Sequence, residues 1–422
     1  MITSLPIAAS LDIPLAMPVD VPLDVPCDVP LDVPGRPIGT ATGRTPMGRP
    51  YPPARVGGAF AALIASGRLD LPLPAAGATA ARWRALADLA AFDVTLARLA
   101  QAHTSAAAIL IDSAGPAPEH DQRWGLWATE EPIGSLVARR GRGGWTVHGV
   151  RSSCPGARVL THALVAARVI TDGGEETREG TIGLFAVRLN ERNVAVATAG
   201  SDGSDGSASQ AMTGADTATV LFDGAPAIPV GEPGWSTGST GGSDPDAAYL
   251  DQPIFWHTKV DIAACWFGGA TGVARTLFAA GHTDHEGEAG HLADRTDRTG
   301  RTGRTGRRLD IHALEHLGRV DAVLMAMRCV LETAARDMDA DPDDVGGSAR
   351  RRALRVRANI EAGATEVLDR VGRALGPGPL CADRGYARRV ADLSAYLRQN
   401  RVERDLTDLA AVVLADLDPL WW

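Results

Sequence analysis

The chain has 422 residues, of which 45% are hydrophobic, so it can bury a substantial core and is long enough for two or three domains. Its formal net charge of -9 argues against a general affinity for nucleic acid or anionic membranes, since clustered Lys and Arg hold both. The five widely spaced cysteines contain no CxxC pair, which argues against a disulfide framework or a zinc site and favours a reducing, cytoplasmic location.

Residues 1–55 are expected to form a disordered, low-complexity tail. A Pro-Leu-Asp-Val unit recurs in SLDIPLAMPVDVPLDVPCDVPLDVPGRP, and its prolines prevent a continuous apolar helix. The segment also lacks a basic region at its start, so it resembles neither a signal peptide nor a membrane span. No other stretch supplies the roughly twenty uninterrupted apolar residues that a membrane helix needs, and we therefore expect no membrane span.

Three blocks follow the tail, and they differ in the period of their hydrophobic residues. Residues 56–122 place Leu86, Leu89 and further apolar residues three or four positions apart, which predicts helices. Residues 123–235 contain short runs rich in β-branched residues, which predict a compact antiparallel β-domain. Residues 245–416 contain four long amphipathic patterns, which predict a four-helix bundle. The predicted fold class is therefore α+β multidomain, with an N-terminal helical block, a central antiparallel β-domain and a C-terminal four-helix bundle.

Four segments, taken in their order along the chain, carry a family resemblance. They are EEPIGSLVARRGRGGWTVHGV, AMTGADTATVLFDGAPAIPVGEPG, FGGATGVARTLF and RALGPGPLCADRGYARRVADLSAYLRQN. These segments resemble four parts of the acyl-CoA dehydrogenase-like flavoproteins. In the same order, these parts are the start of the β-domain, its closing strand, the first bundle helix and the approach to the active-site loop. The resemblance extends from about Phe60 to Leu414, and the chain is identified as a divergent member.

This resemblance implies an FAD-dependent oxidoreductase that acts on an acyl-CoA or a related apolar substrate. It implies a homodimer or homotetramer, because family members complete their flavin site from a neighbouring subunit. It also implies an electron-transfer flavoprotein as a possible partner. The small residues of IAACWFGGATGVA, with Trp266 and Phe267 as large apolar anchors, predict that bundle helices form the subunit interface.

A glycine-rich turn is the main candidate for cofactor binding. Gly376 and Gly378 let the backbone approach a phosphate closely, after a helix whose last turn carries Arg373. They match the family's flavin-pyrophosphate turn, although a plain helix C-cap explains the same residues. The family's flavin-facing aromatic residue and threonine fall on Ser153 and Pro155. The resemblance further implies cofactor contacts from Thr129, Arg307 and Arg308.

The resemblance places Asn400 where acyl-CoA dehydrogenases commonly keep a catalytic Glu. An amide has no basic lone pair at neutral pH, so Asn400 cannot remove the α-proton of a thioester. Glu403, one helical turn further on, and Asp261, beside an alternative base position of the family, are the candidate substitutes. The simpler interpretations are an exposed ion-pairing residue for Glu403 and a helix-surface or interface residue for Asp261.

Two polar segments suggest other sites. The run DRTDRTGRTGRTGRR predicts an expanded surface loop, with a CoA-phosphate or nucleic-acid contact as the alternative. His282, His285 and His291 offer metal-ligand side chains, but without helical spacing on a firm element they predict a polar loop and no metal.

Two alternatives to the dehydrogenase stay open. The first is a flavin-dependent monooxygenase of the same fold, in which reduced flavin reacts with oxygen and no α-proton base is required. The second is a non-catalytic binding or scaffold protein of the same fold. Ser153, Pro155 and Asn400 favour these alternatives, whereas the β-domain closure favours the dehydrogenase.

Overall fold

The computed structural model describes residues 50–128, 136–171, 182–197, 211–231, 252–290, 309–400 and 402–415. Its first helix, α1 (Pro53–Ala65), begins two residues before the predicted end of the tail at residue 55. Pro53 starts the helix because the first helical position leaves its N–H unpaired in any case, and proline has none. Residues 1–49 lie outside the described part of the chain.

Two further helices, α2 (Thr79–Phe92) and α3 (Val94–Asp112), meet at Asp93. The Asp93 carboxylate caps α3, because it accepts a hydrogen bond from the Leu96 amide at 2.9 Å. The same carboxylate accepts from the Tyr51 amide at 2.9 Å, which ties the chain before α1 to this corner. Almost every residue of α3 is buried, so this helix forms the centre of the N-terminal helical block.

The β-domain contains β1 (Trp124–Trp127), β2 (Leu136–Gly141), β3 (Gly144–Cys154), β4 (His162–Thr171), β5 (Ile182–Arg188), β6 (Val194–Val196) and β7 (Ala218–Val230). Its pairings close β4, β2, β3, β7 and β5 into a ring, with β1 beside β4 and β6 beside β7. Most pairs are antiparallel, as predicted, but β1 and β2 run parallel to β4. The chain reverses direction once between β2 and β3 and again between β3 and β4. As a result, β2 and β4 run in the same direction and pair as parallel strands.

The C-terminal block contains α4 (Pro253–Gly290), α5 (Ile311–Ala340), α6 (Ala349–Leu375), α7 (Gly378–Ala382), α8 (Arg384–Gln399) and α9 (Val402–Ala415). α4 packs against both α2 and α6, and α5 packs against α6. Asp392 on α8 joins the three blocks, since it accepts from the Met212 amide at 2.5 Å and from the Thr95 hydroxyl at 3.1 Å. Helices, a β-domain and helices therefore follow one another, which confirms the predicted fold class.

The small-residue segment of α4 packs inside the chain. Trp266 is fully buried, and Gly268 lies against the backbone of Ala87 on α2. Phe267 is half-buried. The prediction that Trp266 anchors a subunit interface was therefore wrong, because the partner of this helix face is α2 of the same chain.

Two helices in the described residues are long and apolar enough to cross a membrane, namely α3 and the Pro253–Gly281 part of α4. However, 89% and 61% of their most apolar windows are buried inside the protein. Such burial is typical of core helices, which can be as long and as apolar as a membrane-spanning helix.

Candidate functional site

Asn400 lies at the junction of α8 and α9, where its amide bridges two charged side chains. Its Oδ1 accepts a hydrogen bond from Arg357 Nη2, and its Nδ2 donates to Asp405 Oδ2 at 3.2 Å. Arg357 Nε also donates to Asp405 Oδ2, at 2.8 Å. The Arg357 side chain is 5% exposed and that of Asp405 is 17% exposed, so solvent screens this pair weakly. The amide therefore completes a buried ion-pair network, and both of its polar atoms are engaged.

Aromatic rings continue this network towards the helical core. The Arg357 guanidinium lies 5.4 Å from the ring centroid of Trp266, which packs edge-on against Tyr396 at 6.2 Å. The Arg98 guanidinium lies 5.7 Å from the centroid of the Tyr396 ring. The two packed rings thus lie between the Arg357 and Arg98 guanidinium groups, and cation–ring contacts are worth most where water is excluded.

Lys259 lies beside the same junction. Its backbone carbonyl accepts from Arg357 Nη1 at 3.1 Å, and its Nζ lies 3.9 Å from the Trp256 ring centroid. Burial, with a smaller contribution from Arg357, lowers the pKa of Lys259 to about 8, whereas Asp405 acts in the opposite direction. This side chain therefore reaches its neutral, nucleophilic form at a lower pH than an ordinary lysine does.

We expect an amine-reactive reagent to modify Lys259 with a half-maximal rate near pH 8 rather than near the ordinary lysine pKa of about 10.4. The sequence contains a single lysine, so peptide mass spectrometry reports side-chain labelling at this residue alone. In Asp405→Asn the midpoint should fall further, because a carboxylate that favours the charged amine is removed. A parent midpoint near 10 would contradict the burial of the amine.

Asp261 on α4 is fully buried, so its interpretation as a helix-surface residue was wrong. Arg82 donates to it from Nε at 3.0 Å and from Nη2 at 2.6 Å. Trp83 Nε1 donates at 3.0 Å and the Ser105 hydroxyl at 2.8 Å. These donors occupy both carboxylate oxygens, so Asp261 joins α2, α3 and α4 through a buried ion pair.

Glu403 lies on α9 with its side chain exposed to solvent. Its backbone carbonyl accepts from the Thr407 hydroxyl at 2.9 Å, as in an ordinary surface helix. A general base of raised basicity needs apolar surroundings, and the surface of α9 does not provide them. The carboxylate that contacts Asn400 is instead that of Asp405, which lies two residues further along the helix.

Ser153 and Pro155, the positions predicted to face a flavin, lie at the end of β3 and just after it. Ser153 is exposed in a left-handed conformation with φ 55°, inside the register shift between Arg151 and Cys154. The carbonyl of Pro155 accepts from Trp127 Nε1 at 3.2 Å. The irregularity in β3 therefore places Ser153 at the surface of the β-domain. Thr129 lies outside the described residues.

The glycine-rich turn ends α6. Gly376 has φ 67°, and its amide donates to the Gly372 carbonyl at 2.9 Å, so it serves as a C-cap. A Cβ built on Gly376 or Gly378 would have no neighbour within 4 Å, so the backbone of the turn is open. Arg373 is exposed and pairs with Asp369 at 2.7 Å. Arg307 and Arg308 lie outside the described residues, as does the Arg-rich loop.

These residues fit a phosphate-bearing flavin in two respects. The turn offers an open backbone for a phosphate, and Ser153 offers an exposed hydroxyl for the polar edge of a ring. No group of three His, Cys, Asp or Glu side chains in the described residues is arranged to hold a metal ion. The side chains of His282, His285 and His291 lie outside that description.

Arg357 and Lys259 were not singled out from the sequence. One signal was present for Arg357, because it occupies the apolar stripe of α6 between the buried residues Ala353 and Ile360. A guanidinium on such a stripe needs a buried partner, and here the partner is Asp405. Lys259 carried no local signal beyond being the only lysine.

No protein-family model and no curated protein matches the sequence. Solved structures do match over most of the chain. KijD3, in complex with FMN and dTDP-3-amino-2,3,6-trideoxy-4-keto-3-methyl-D-glucose, has a TM-score of 0.63 at 18% identity, with 86% of this chain and 87% of that chain covered. The dibenzothiophene monooxygenase TdsC from Paenibacillus sp. A11-2 has a TM-score of 0.59 at 15% identity, with 86% and 96% covered.

The methanesulfinate monooxygenase MsuC from Pseudomonas fluorescens has a TM-score of 0.60 at 16% identity, with 86% of this chain and 92% of that chain covered. At these identities the likeness concerns the fold. The protein therefore has the acyl-CoA dehydrogenase-like fold, which it shares with flavin-dependent enzymes that include monooxygenases.

Proposed function

We propose that the protein is a flavin-dependent monooxygenase rather than an acyl-CoA dehydrogenase. The observation that carries this proposal is the state of the base position, where Asn400 is an amide held between Arg357 and Asp405. Removal of an α-proton needs a carboxylate that is free to accept it. Asp261 is occupied by buried donors and Glu403 is exposed, so neither substitutes readily for a base at this junction.

When bound, a reduced flavin supplies the two electrons with which dioxygen places one oxygen atom in a substrate and releases the other as water. The chain's own contribution is to orient the substrate and to exclude water. Arg357 contacts Asn400 and lies over the Trp266 ring, which packs edge-on against Tyr396. One N–H of the Asn400 amide is donated to Asp405, and its second N–H can hold a substrate oxygen in place without taking up a proton.

FMN is the flavin that we propose, with FAD as the alternative. Structures of KijD3 and TdsC contain FMN, which supports this choice. Arg373 is paired with Asp369, so it contributes less to a pyrophosphate than the FAD prediction requires. We retain the proposal of a homodimer or homotetramer, in which Gly376 and Gly378 serve a neighbouring subunit. An electron-transfer flavoprotein belongs to the dehydrogenase alternative, because an oxygenase passes its electrons to oxygen.

Purified protein is expected to bind FMN and to show the yellow absorption bands of a flavoprotein. After anaerobic reduction of the flavin, addition of oxygen-18 gas should place the label in an acceptor substrate, and mass spectrometry of the product measures it. Indole is a suitable first acceptor, because TdsC has been crystallised with FMN and indole. In the same protein, a panel of acyl-CoAs should leave oxidised flavin unreduced under anaerobic conditions.

Asn400→Glu provides the matched variant, since it restores a carboxylate at the base position. Acyl-CoA-dependent flavin reduction in Asn400→Glu alone would show that the position kept the dehydrogenase geometry and lost its base. Flavin reduction by an acyl-CoA in the parent would overturn the proposal, and Glu403→Gln would then test the exposed carboxylate. Failure to bind FMN or FAD would leave the binding or scaffold function as the account of this fold.

A further inference from the structure

A cavity of about 450 Å³ opens between α5 and α6, next to the turn that joins them. Such a volume suits a small metabolite. Its lining residues are Cys329, Val330, Thr333, Ala334, Asp337, Ser348, Arg351, Arg352, Arg355 and Val356. The α6 side carries three arginines, whereas the α5 side carries a single carboxylate, so the cavity is cationic on one wall.

Arg352 and Arg355 supply donors that the protein itself does not use. Arg352 Nη1 donates to the Ser348 hydroxyl at 2.9 Å, but its Nη2 is buried and has no hydrogen-bond partner in the described residues. Buried donors without partners are rare in folded proteins, which points to a group that completes them. Arg355 forms no ion pair or side-chain hydrogen bond within the described part of the chain, and its guanidinium is half-buried in the cavity wall.

Two amides at the start of α6 already have an acceptor in the Asp344 carboxylate. Asp344 Oδ1 accepts from the Ser348 amide at 2.7 Å and from the Ala349 amide at 2.8 Å. An anion in this cavity would therefore be held by guanidinium groups, which bind phosphate through paired N–H donors, rather than by the helix terminus. Burial lowers the pKa of Arg352, with Asp344 and Asp337 acting in the opposite direction, as expected for a cation whose compensation is incomplete.

The opposite wall favours hydroxyl groups. Asp337 forms no ion pair within the described residues and presents carboxylate oxygens that accept hydrogen bonds. Thr333 adds a hydroxyl beside it, while Val330, Ala334 and Val356 give the cavity an apolar floor. A ligand that matches both walls carries an anionic group at one end and hydroxyl groups at the other.

We propose that this cavity binds a small phosphorylated sugar, with its phosphate on Arg352 and Arg355 and its hydroxyls on Asp337. The cavity lining includes neither the residues of the Asn400 junction nor those of the Gly376 turn, and the proposal does not depend on the function proposed for them. Phosphate placement on Arg352 would complete the buried Nη2 donor, which explains why the fold keeps that donor unpaired.

Isothermal titration calorimetry of the full chain with ribose 5-phosphate, inorganic phosphate and ribose tests the proposal. We expect saturable binding of ribose 5-phosphate, weaker binding of inorganic phosphate and none of ribose. Arg355→Gln should weaken the affinity for ribose 5-phosphate at least tenfold, because one of the two guanidinium groups that hold the phosphate is lost. Asp337→Asn should weaken the binding of ribose 5-phosphate but should not weaken the binding of inorganic phosphate, because the substitution removes a negative charge near Arg352. Arg328→Gln, an exposed arginine elsewhere on α5 that pairs with Glu332, is the matched control and should bind as the parent does.

A second readout uses a cysteine in the cavity wall. Cys329 is exposed and lines the cavity, whereas Cys381 is exposed on α7. Ribose 5-phosphate should slow modification of Cys329 by a thiol reagent and leave Cys381 unchanged, as measured by peptide mass spectrometry. Absence of saturable binding in the folded parent, or equal losses in Arg355→Gln and Arg328→Gln, would overturn the proposal.

Discussion

Replacement of Asp261 by alanine is expected to lower the free energy of unfolding by about 3–5 kcal/mol, because it leaves a buried guanidinium without its partner. Arg82 is 1% exposed and donates to Asp261 from two nitrogens. The Trp83 indole and the Ser105 hydroxyl would also lose their acceptor. Urea unfolding followed by far-ultraviolet circular dichroism measures the change.

A surface pair of similar length provides the control. Arg319 and Glu366 are 2.7 Å apart but are 51% and 30% exposed, so Glu366→Ala should cost about 1 kcal/mol or less. Removing both charges in Arg82→Met with Asp261→Leu should recover much of the stability lost in Asp261→Ala. If Asp261→Ala were as stable as Glu366→Ala, the buried pair would not be structural, and Asp261 would return as a candidate base.

The order of the blocks could be predicted from the sequence because hydrophobic period is a local property. Leu86 and Leu89 follow the helical spacing that is now seen in α2, and both are buried. The parallel pairing of β2 with β4 was missed, because strand direction depends on how hairpins cross between strands and not on the residues of either strand. The helix start at Pro53 carries a local signal, because proline is favoured at the first helical position.

The candidate site could be predicted only in part, since its residues meet across long sequence separations. Asn400 was found by resemblance, but its contact with Arg357 spans 43 residues. Arg82 and Asp261 are 179 residues apart, and no local pattern near either one identifies the other. A single polar residue within an apolar helix pattern, such as Asp261 or Arg357, indicates that a buried partner exists without indicating which residue it is.

The close packing of α2 on α4 leads to the second large effect. Gly268→Ala should lower the free energy of unfolding by about 3 kcal/mol or more, because the added methyl group overpacks a contact between two backbones. A Cβ at Gly268 would lie 2.0 Å from the Ala87 carbonyl oxygen, and neither helix has a flexible side chain there that could move aside. Gly272→Ala should act in the same direction, since its Cβ would lie 2.5 Å from the Ala91 carbonyl oxygen. The shift in urea midpoint measures both.

Gly318→Ala on α5 separates this steric effect from the general effect of alanine in a helix. A Cβ at Gly318 would meet no atom within 4 Å, so only helix propensity changes there, and the variant should gain about 0.5–1 kcal/mol. The three substitutions are chemically identical, and all three glycines lie inside helices. If Gly268→Ala lowers the free energy of unfolding while Gly318→Ala raises it, the loss is due to the close contact between α2 and α4. A stabilised Gly268→Ala would mean that α2 and α4 do not approach this closely.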